Sequence, residues 1–132
     1  MPVAHLDGLD VRTVEGLPPE DRDLLARSFV AAAGVQCGFC IPGILLRTAS
    51  LLTRPLKPSR AEIAKALDVH LCRCTGYVKI LDAVELAFDS KRSGTLPALV
   101  EDGHVGQRLA RYEGLALALE SARMSMISPS PA

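Results

Sequence analysis

With 132 residues and 48% hydrophobic content, the chain is long enough for one modest core and too short for two independent ones. Lys plus Arg and Asp plus Glu each number 15, so the formal charge is zero and no charged run points to nucleic acid or an anionic membrane as partner. The opening Met1 to Asp7 lacks the basic front and apolar stretch of a secretory signal, and no segment is apolar for long enough to span a bilayer; a cytoplasmic chain with protein partners is expected.

In chain order, His5 to Gly16 is polar and contains glycine, with Val11 to Val14 a candidate for a short extended strand. Pro18-Pro19-Glu20-Asp21 has the form of a helix start, because proline fits the first turn and acids complement the exposed amides there. Leu24, Leu25, Ser28, Phe29 and Ala32 then follow at helical spacing, and Gly34 is placed to close that helix. A second apolar series, Ile44, Leu45, Thr48, Leu51 and Leu52, runs from Pro42 to the stop at Pro55. Ser59-Arg60-Ala61-Glu62 predicts a capping box for a third helix that buries Ile63, Ala66 and Leu67. From Thr75 or Gly76 a fourth helix is expected, with Ile80, Ala83, Val84, Ala87 and Phe88 inward, fading near Ser90. Beyond Lys91, Gly and Pro break any period; only Tyr112 to Met126 offers helical spacing, and Ser128 to Pro131 reads as a disordered end. The expected fold is all-α: a four-helix bundle of two helix pairs, flanked by irregular tails, with a metal at one end. The expected divisions are an extension over 1–17, a helical unit over 18–90 and a partly disordered tail over 91–132.

All four cysteines fall in two short clusters, Val35-Gln36-Cys37-Gly38-Phe39-Cys40-Ile41-Pro42-Gly43 and Leu71-Cys72-Arg73-Cys74-Thr75-Gly76-Tyr77, each running into a helix start. Aligned amides at a helix N-terminus favour negative charge, which suits a thiolate-ligated metal. Zinc accepts four thiolates tetrahedrally, although its CxxC half-site usually pairs with a second CxxC or a His pair, whereas the second half here is CxC. A [2Fe-2S] rhomb also needs four thiolates and can take two from each loop. Disulfides fit a reducing compartment poorly, and bridging cysteines two apart is strained. Spacing alone leaves zinc and iron–sulfur open.

The residues flanking the cysteines closely resemble the helical [2Fe-2S] domain of the molybdenum hydroxylases, the xanthine dehydrogenase, aldehyde oxidoreductase and carbon monoxide dehydrogenase small-subunit family. Val11 to Leu17 is similar to that family's linker into the domain, so the resemblance covers about Leu6 to Phe88. It implies electron transfer: two electrons released at a molybdopterin cofactor in a partner catalytic subunit pass through this cluster to a second [2Fe-2S] cluster in a ferredoxin-like domain, and on to flavin or another acceptor. By the same match, Cys37, Cys40, Cys72 and Cys74 are the ligands, the turn carrying Cys74 approaches the pterin, and Gln36 lies close to it. Gly38, Gly43 and Gly76 would let backbone amides reach sulfur, or serve turn geometry alone. Arg73 could contact the cofactor or pair with a neighbouring carboxylate, and Tyr77 could face the partner or pack, the second reading being preferred for each; His70 is read as solvent-facing or capping.

Three departures qualify the resemblance. The family's plant-ferredoxin-like domain is not seen ahead of this one. Val69-His70 stands where many relatives have Gly-Asn, and a β-branched residue disfavours a left-handed helix cap there. Gly103 to Gly114 is similar to the opening of the molybdenum-binding subunit, which would make the chain either a genuine subunit or a truncated reading frame. The alternative function is a structural or interaction bundle, zinc-loaded or metal-free. No general base, activated nucleophile or phosphate loop is found, so any enzyme activity is expected to belong to an assembly.

Overall fold

The computed structural model describes residues 6–119. Within them lie five α-helices, α1 (Pro19–Ala31), α2 (Ile41–Leu52), α3 (Arg60–Leu67), α4 (Tyr77–Ser93) and α5 (Gly114–Ala118), preceded by a 3-10 turn at Val14–Gly16. No strand forms among the described residues: the extended segment expected at Val11 to Val14 is instead an exposed run ending in that turn, with only Val14 buried. An isolated extended segment leaves its amides without a ladder partner, whereas the turn pairs Gly16 N–H with Thr13 O at 3.1 Å.

The apolar spacings become one core. Leu25 and Phe29 of α1, Ile41, Ile44 and Leu45 of α2, Ile63 of α3, and Ile80 and Val84 of α4 are all buried within it. Two of the three buried hydroxyl residues return to their own helices: Ser28 Oγ donates to Leu24 O at 2.7 Å and Thr48 Oγ1 to Ile44 O at 2.8 Å. α1 packs most extensively on α4, so the first helix of one pair meets the second helix of the other. Exposed charges add a modest tie between α3 and α4, where Arg60 reaches Asp82 at 2.8 Å and Glu85 at 2.7 Å.

Helix ends explain how the loops are aimed. α1 closes in a Schellman arrangement, with Ala33 N–H on Val30 O and Gly34 N–H on Phe29 O. The left-handed position is Ala33 at φ 57°, one residue before the glycine expected there. Gly34 is reserved for packing: a Cβ on it would stand 3.2 Å from Lys79 O and 3.3 Å from Ala83 Cβ of α4. The capping box of α3 is formed as expected, Ser59 N–H donating to Glu62 Oε2 at 2.8 Å. At the end of α3, Asp68 keeps a right-handed φ of −61°, and His70 N–H closes on Leu67 O, so Val69 is spared the left-handed cap it would resist. α4 runs past Ser90 to Ser93, because Gly94 at φ 69° caps it and Lys91 and Arg92 complement its negative end.

The segment after α4 does not simply leave. It runs without helix from Gly94 to Glu113 and returns through α5 to α1 and α2, burying Ala118 completely. Of the helical spacing expected over Tyr112 to Met126, Gly114–Ala118 forms α5 while Tyr112, Glu113 and Leu119 are turn; Ala122, Met126 and the serine-proline end lie outside the described residues. No helix among the described residues is long and apolar enough to cross a membrane.

Candidate metal centre

Cys40 is the N-cap of α2 and Gly76 the N-cap of α4, so both cysteine loops run directly into helix N-termini. The loops face each other across a small cavity lined by Gly34, Gln36, Cys37, Gly38, Cys40, Ile41, Cys72, Cys74 and Gly76. Four thiols, two from each loop, therefore border a single space. All four cysteines are unpaired, grading from exposed Cys37 through Cys40 and Cys74 to buried Cys72.

The first loop turns at Gly38, whose φ of 91° belongs to glycine and whose carbonyl accepts from Ile41 N–H at 3.0 Å. The second turns at Thr75, left-handed at φ 56° although β-branched, with its N–H on Cys72 O at 3.2 Å. Such a conformation stores strain, and here it gathers amides around a sulfur. Burial is the largest single influence on Cys72 and would raise its pKa. The amide of Gly76, the Cys40 thiol and the amides of Cys74 and Thr75 together outweigh it and hold Cys72 below the usual thiol value. Cys40 is pushed the other way, up to about 12, by burial first and then by its hydrogen bond and charge interaction with Cys72.

Those properties fit an iron–sulfur group. Its ligands must be thiolates, it is negative, and it is tuned by amides directed at sulfur. No set of three or more His, Cys, Asp or Glu side chains among the described residues is arranged to hold a single metal ion. A two-iron cluster asks for less convergence, since each iron takes two protein sulfurs, and the four thiols border one cavity, two from each loop.

The remaining expected residues divide. Gln36 and Gly76 meet: a Cβ on Gly76 would lie 2.8 Å from Gln36 Nε2. Gly76 itself has an ordinary φ of −76°, so the turn does not demand glycine there; its lack of a side chain makes room for the Gln36 amide. Gly43 sits in the first turn of α2, away from the cavity lining, and a Cβ there would meet the His70 ring at 3.5 Å. His70 is accordingly half-buried against α2, its pKa lowered by burial and by Arg47. Arg73 is exposed and has no ion pair among the described residues, so the expected carboxylate partner is not found. Two features lay outside the expectation. Tyr77 Oη accepts the Cys72 N–H at 2.8 Å, and Leu117 of α5 covers Gly38. The first was open to inspection in the Cys-x-x-x-x-Tyr spacing; the second had no local signal.

The comparisons agree with this geometry. A family model described as a [2Fe-2S] binding domain matches residues 13–85. The nicotinate dehydrogenase small FeS subunit of Eubacterium barkeri is 39% identical over 90 residues, covering 67% of this chain and 57% of that protein. A xanthine dehydrogenase of Emericella nidulans is 41% identical over 85 residues, 64% of this chain but 6% of that protein. Among solved structures, an aldehyde oxidoreductase from Desulfovibrio desulfuricans superposes with a TM-score of 0.72 at 29% identity, covering 86% of this chain and 14% of that one. The chain spans about half the length of such small-subunit relatives and a minor part of the longer ones.

Proposed function

This chain belongs to the [2Fe-2S] binding domain family, and from that premise we propose that Cys37, Cys40, Cys72 and Cys74 hold a [2Fe-2S] cluster through which it passes electrons as part of a molybdenum hydroxylase. The observation that carries the reading is the meeting of all four thiols on one cavity at two helix N-termini. When bound, the cluster supplies a one-electron carrier. The chain's own residues do the rest: Cys72 is held toward the thiolate by three amides, Cys40 gives up its proton on loading, and the helix N-termini offset the negative charge.

The catalytic partner is a molybdopterin-binding subunit, approached by the turn carrying Cys74 and by Gln36, with a ferredoxin-like [2Fe-2S] domain and an FAD subunit on the acceptor side. Small iron–sulfur subunits of a nicotinate dehydrogenase and a nicotine 6-hydroxylase among the relatives support a multi-subunit setting, and a cytoplasmic one is in keeping with thiol ligands. The bundle over 18–90 is the cluster-binding unit, preceded by a linker. Exposed Phe39, Leu71 and Val78 lie in or beside the cysteine loops, where a partner's surface would cover them.

Iron, acid-labile sulfide and zinc are measured per chain after anaerobic purification, with visible spectra before and after dithionite. Two irons and two sulfides, with absorbance that bleaches on reduction, are expected. Zinc in their place, or no metal after reconstitution, would leave an interaction bundle.

A further inference from the structure

Two backbone groups of Cys72 are tied at once: its carbonyl accepts from Thr75 N–H at 3.2 Å, and its own N–H donates to Tyr77 Oη at 2.8 Å. The first bond is closed within the turn Cys72 to Gly76, whereas Tyr77 reaches back from the first position of α4 to hold the turn from behind. A loop with a left-handed Thr75 is strained and would relax if released. The geometry points to Tyr77 as a positioning residue that keeps the Cys72 amide turned away from the sulfurs and so sets the potential of the site. This inference rests on the proposed function, because it concerns the cluster that Cys72 would ligate.

The direction follows from charge. A reduced cluster is the more negative, and every hydrogen bond donated to its sulfurs stabilises that state and raises its potential. Tyr77 removes one available donor, the Cys72 N–H, from the sulfurs. Tyr77 is itself 40% exposed, so water can reach this side of the turn. Taking the phenolic oxygen away leaves the Cys72 N–H to swing toward sulfur or admits water beside it, and either change adds a donor. The potential moves up in both cases.

The test uses the full chain carrying its two-iron cluster, as wild type and as Tyr77→Phe. Iron and sulfide are counted first; the midpoint potential is then read by spectroelectrochemical titration and the reduced form by electron paramagnetic resonance. A higher potential in Tyr77→Phe with displaced g values is expected. An unchanged or lower potential overturns the inference, and so does a loss of thermal stability with the potential unmoved, which is what a merely structural hydrogen bond gives. If Tyr77→Phe does not load, 3-fluorotyrosine at position 77 replaces it, keeping the ring and hydroxyl while weakening the acceptor. A smaller rise is then expected, and an unmoved potential overturns. The two failures separate cleanly: a loaded wild type with a silent Tyr77 sinks this inference alone, while a wild type holding zinc or no metal sinks the proposed function and this inference together.

Discussion

Gly38 and Leu117 are in backbone contact range: a Cβ on Gly38 would stand 2.9 Å from the Leu117 carbonyl oxygen and 3.3 Å from its Cβ. A loop between two candidate ligands is thus roofed by a helix from the far end of the described chain. Gly38→Ala meets both this backbone and the strain of a φ of 91°, which L side chains resist. The expected cost is about 2 kcal/mol, seen in urea unfolding, with faster proteolysis of the α5 segment than of the bundle.

Cys72→Ala removes the buried thiol on which three amides converge. Truncating so small a side chain costs about 1 kcal/mol of packing, and the helices should remain by circular dichroism. Metal loading should nonetheless collapse, with iron per chain falling well below the wild-type value, because each iron of a two-iron cluster needs both its protein sulfurs.

Thr75→Gly tests the opposite sign. The left-handed φ of 56° costs a β-branched residue about 1–3 kcal/mol, and glycine gives back part of that gain as added freedom in the unfolded chain. A net stabilisation of about 1 kcal/mol is expected in thermal unfolding. No gain would mean that the tertiary surroundings and not local strain determine this turn.

Gly76→Ala should be coupled to Gln36. The added methyl meets only the flexible Nε2 end of Gln36, so the stability cost should be small, while Gln36 is driven from the cavity. In a double-mutant cycle with Gln36→Ala, the Gly76→Ala cost should largely vanish; strict additivity would show that the two do not touch.

Acid should weaken the α3 region first. Glu62 is held below the usual carboxylate range chiefly by the Ser59 hydroxyl, and Asp82 below its own chiefly by Arg60. The folded chain therefore binds these protons less readily than the unfolded one, so the stabilisation is present above the ordinary values of 4.5 and 3.8 and is lost as pH falls through the lowered ones. Glu62→Gln should flatten the acid limb of a stability-versus-pH curve while changing little at pH 7, since glutamine can also complete a capping box.

What could be read from the sequence was whatever depends on residues a few positions apart. Leu24 to Ala32, Ile44 to Leu52 and the Ser59/Glu62 box each declare a helix through its own neighbours, and all three formed. The gathering of both cysteine motifs at helix starts was legible for the same reason. What escaped was set by distant contacts. Gly34 could serve as a cap by its type, yet the close approach of Lys79 and Ala83 claims it and passes the left-handed position to Ala33. Val14 suits a strand, but a strand without a partner cannot pair its amides, and the chain turns instead. The return of α5 over Gly38 likewise depends on Gly114 lying against Val30, a contact that no local pattern announces.

The docking of α1 on α4 through Gly34 has a kinetic consequence. The two cysteine loops lie far apart along the chain and share a cavity only once those helices have met, so the site is a product of long-range closure and not of local folding. Cofactor insertion then has a natural order in time: an unfolded or half-closed chain offers two separate dithiols that bind iron weakly, and only the closed bundle offers four. During refolding in the presence of excess iron and sulfide, the rate of cluster appearance should level off at the rate of helix docking, however much metal is supplied.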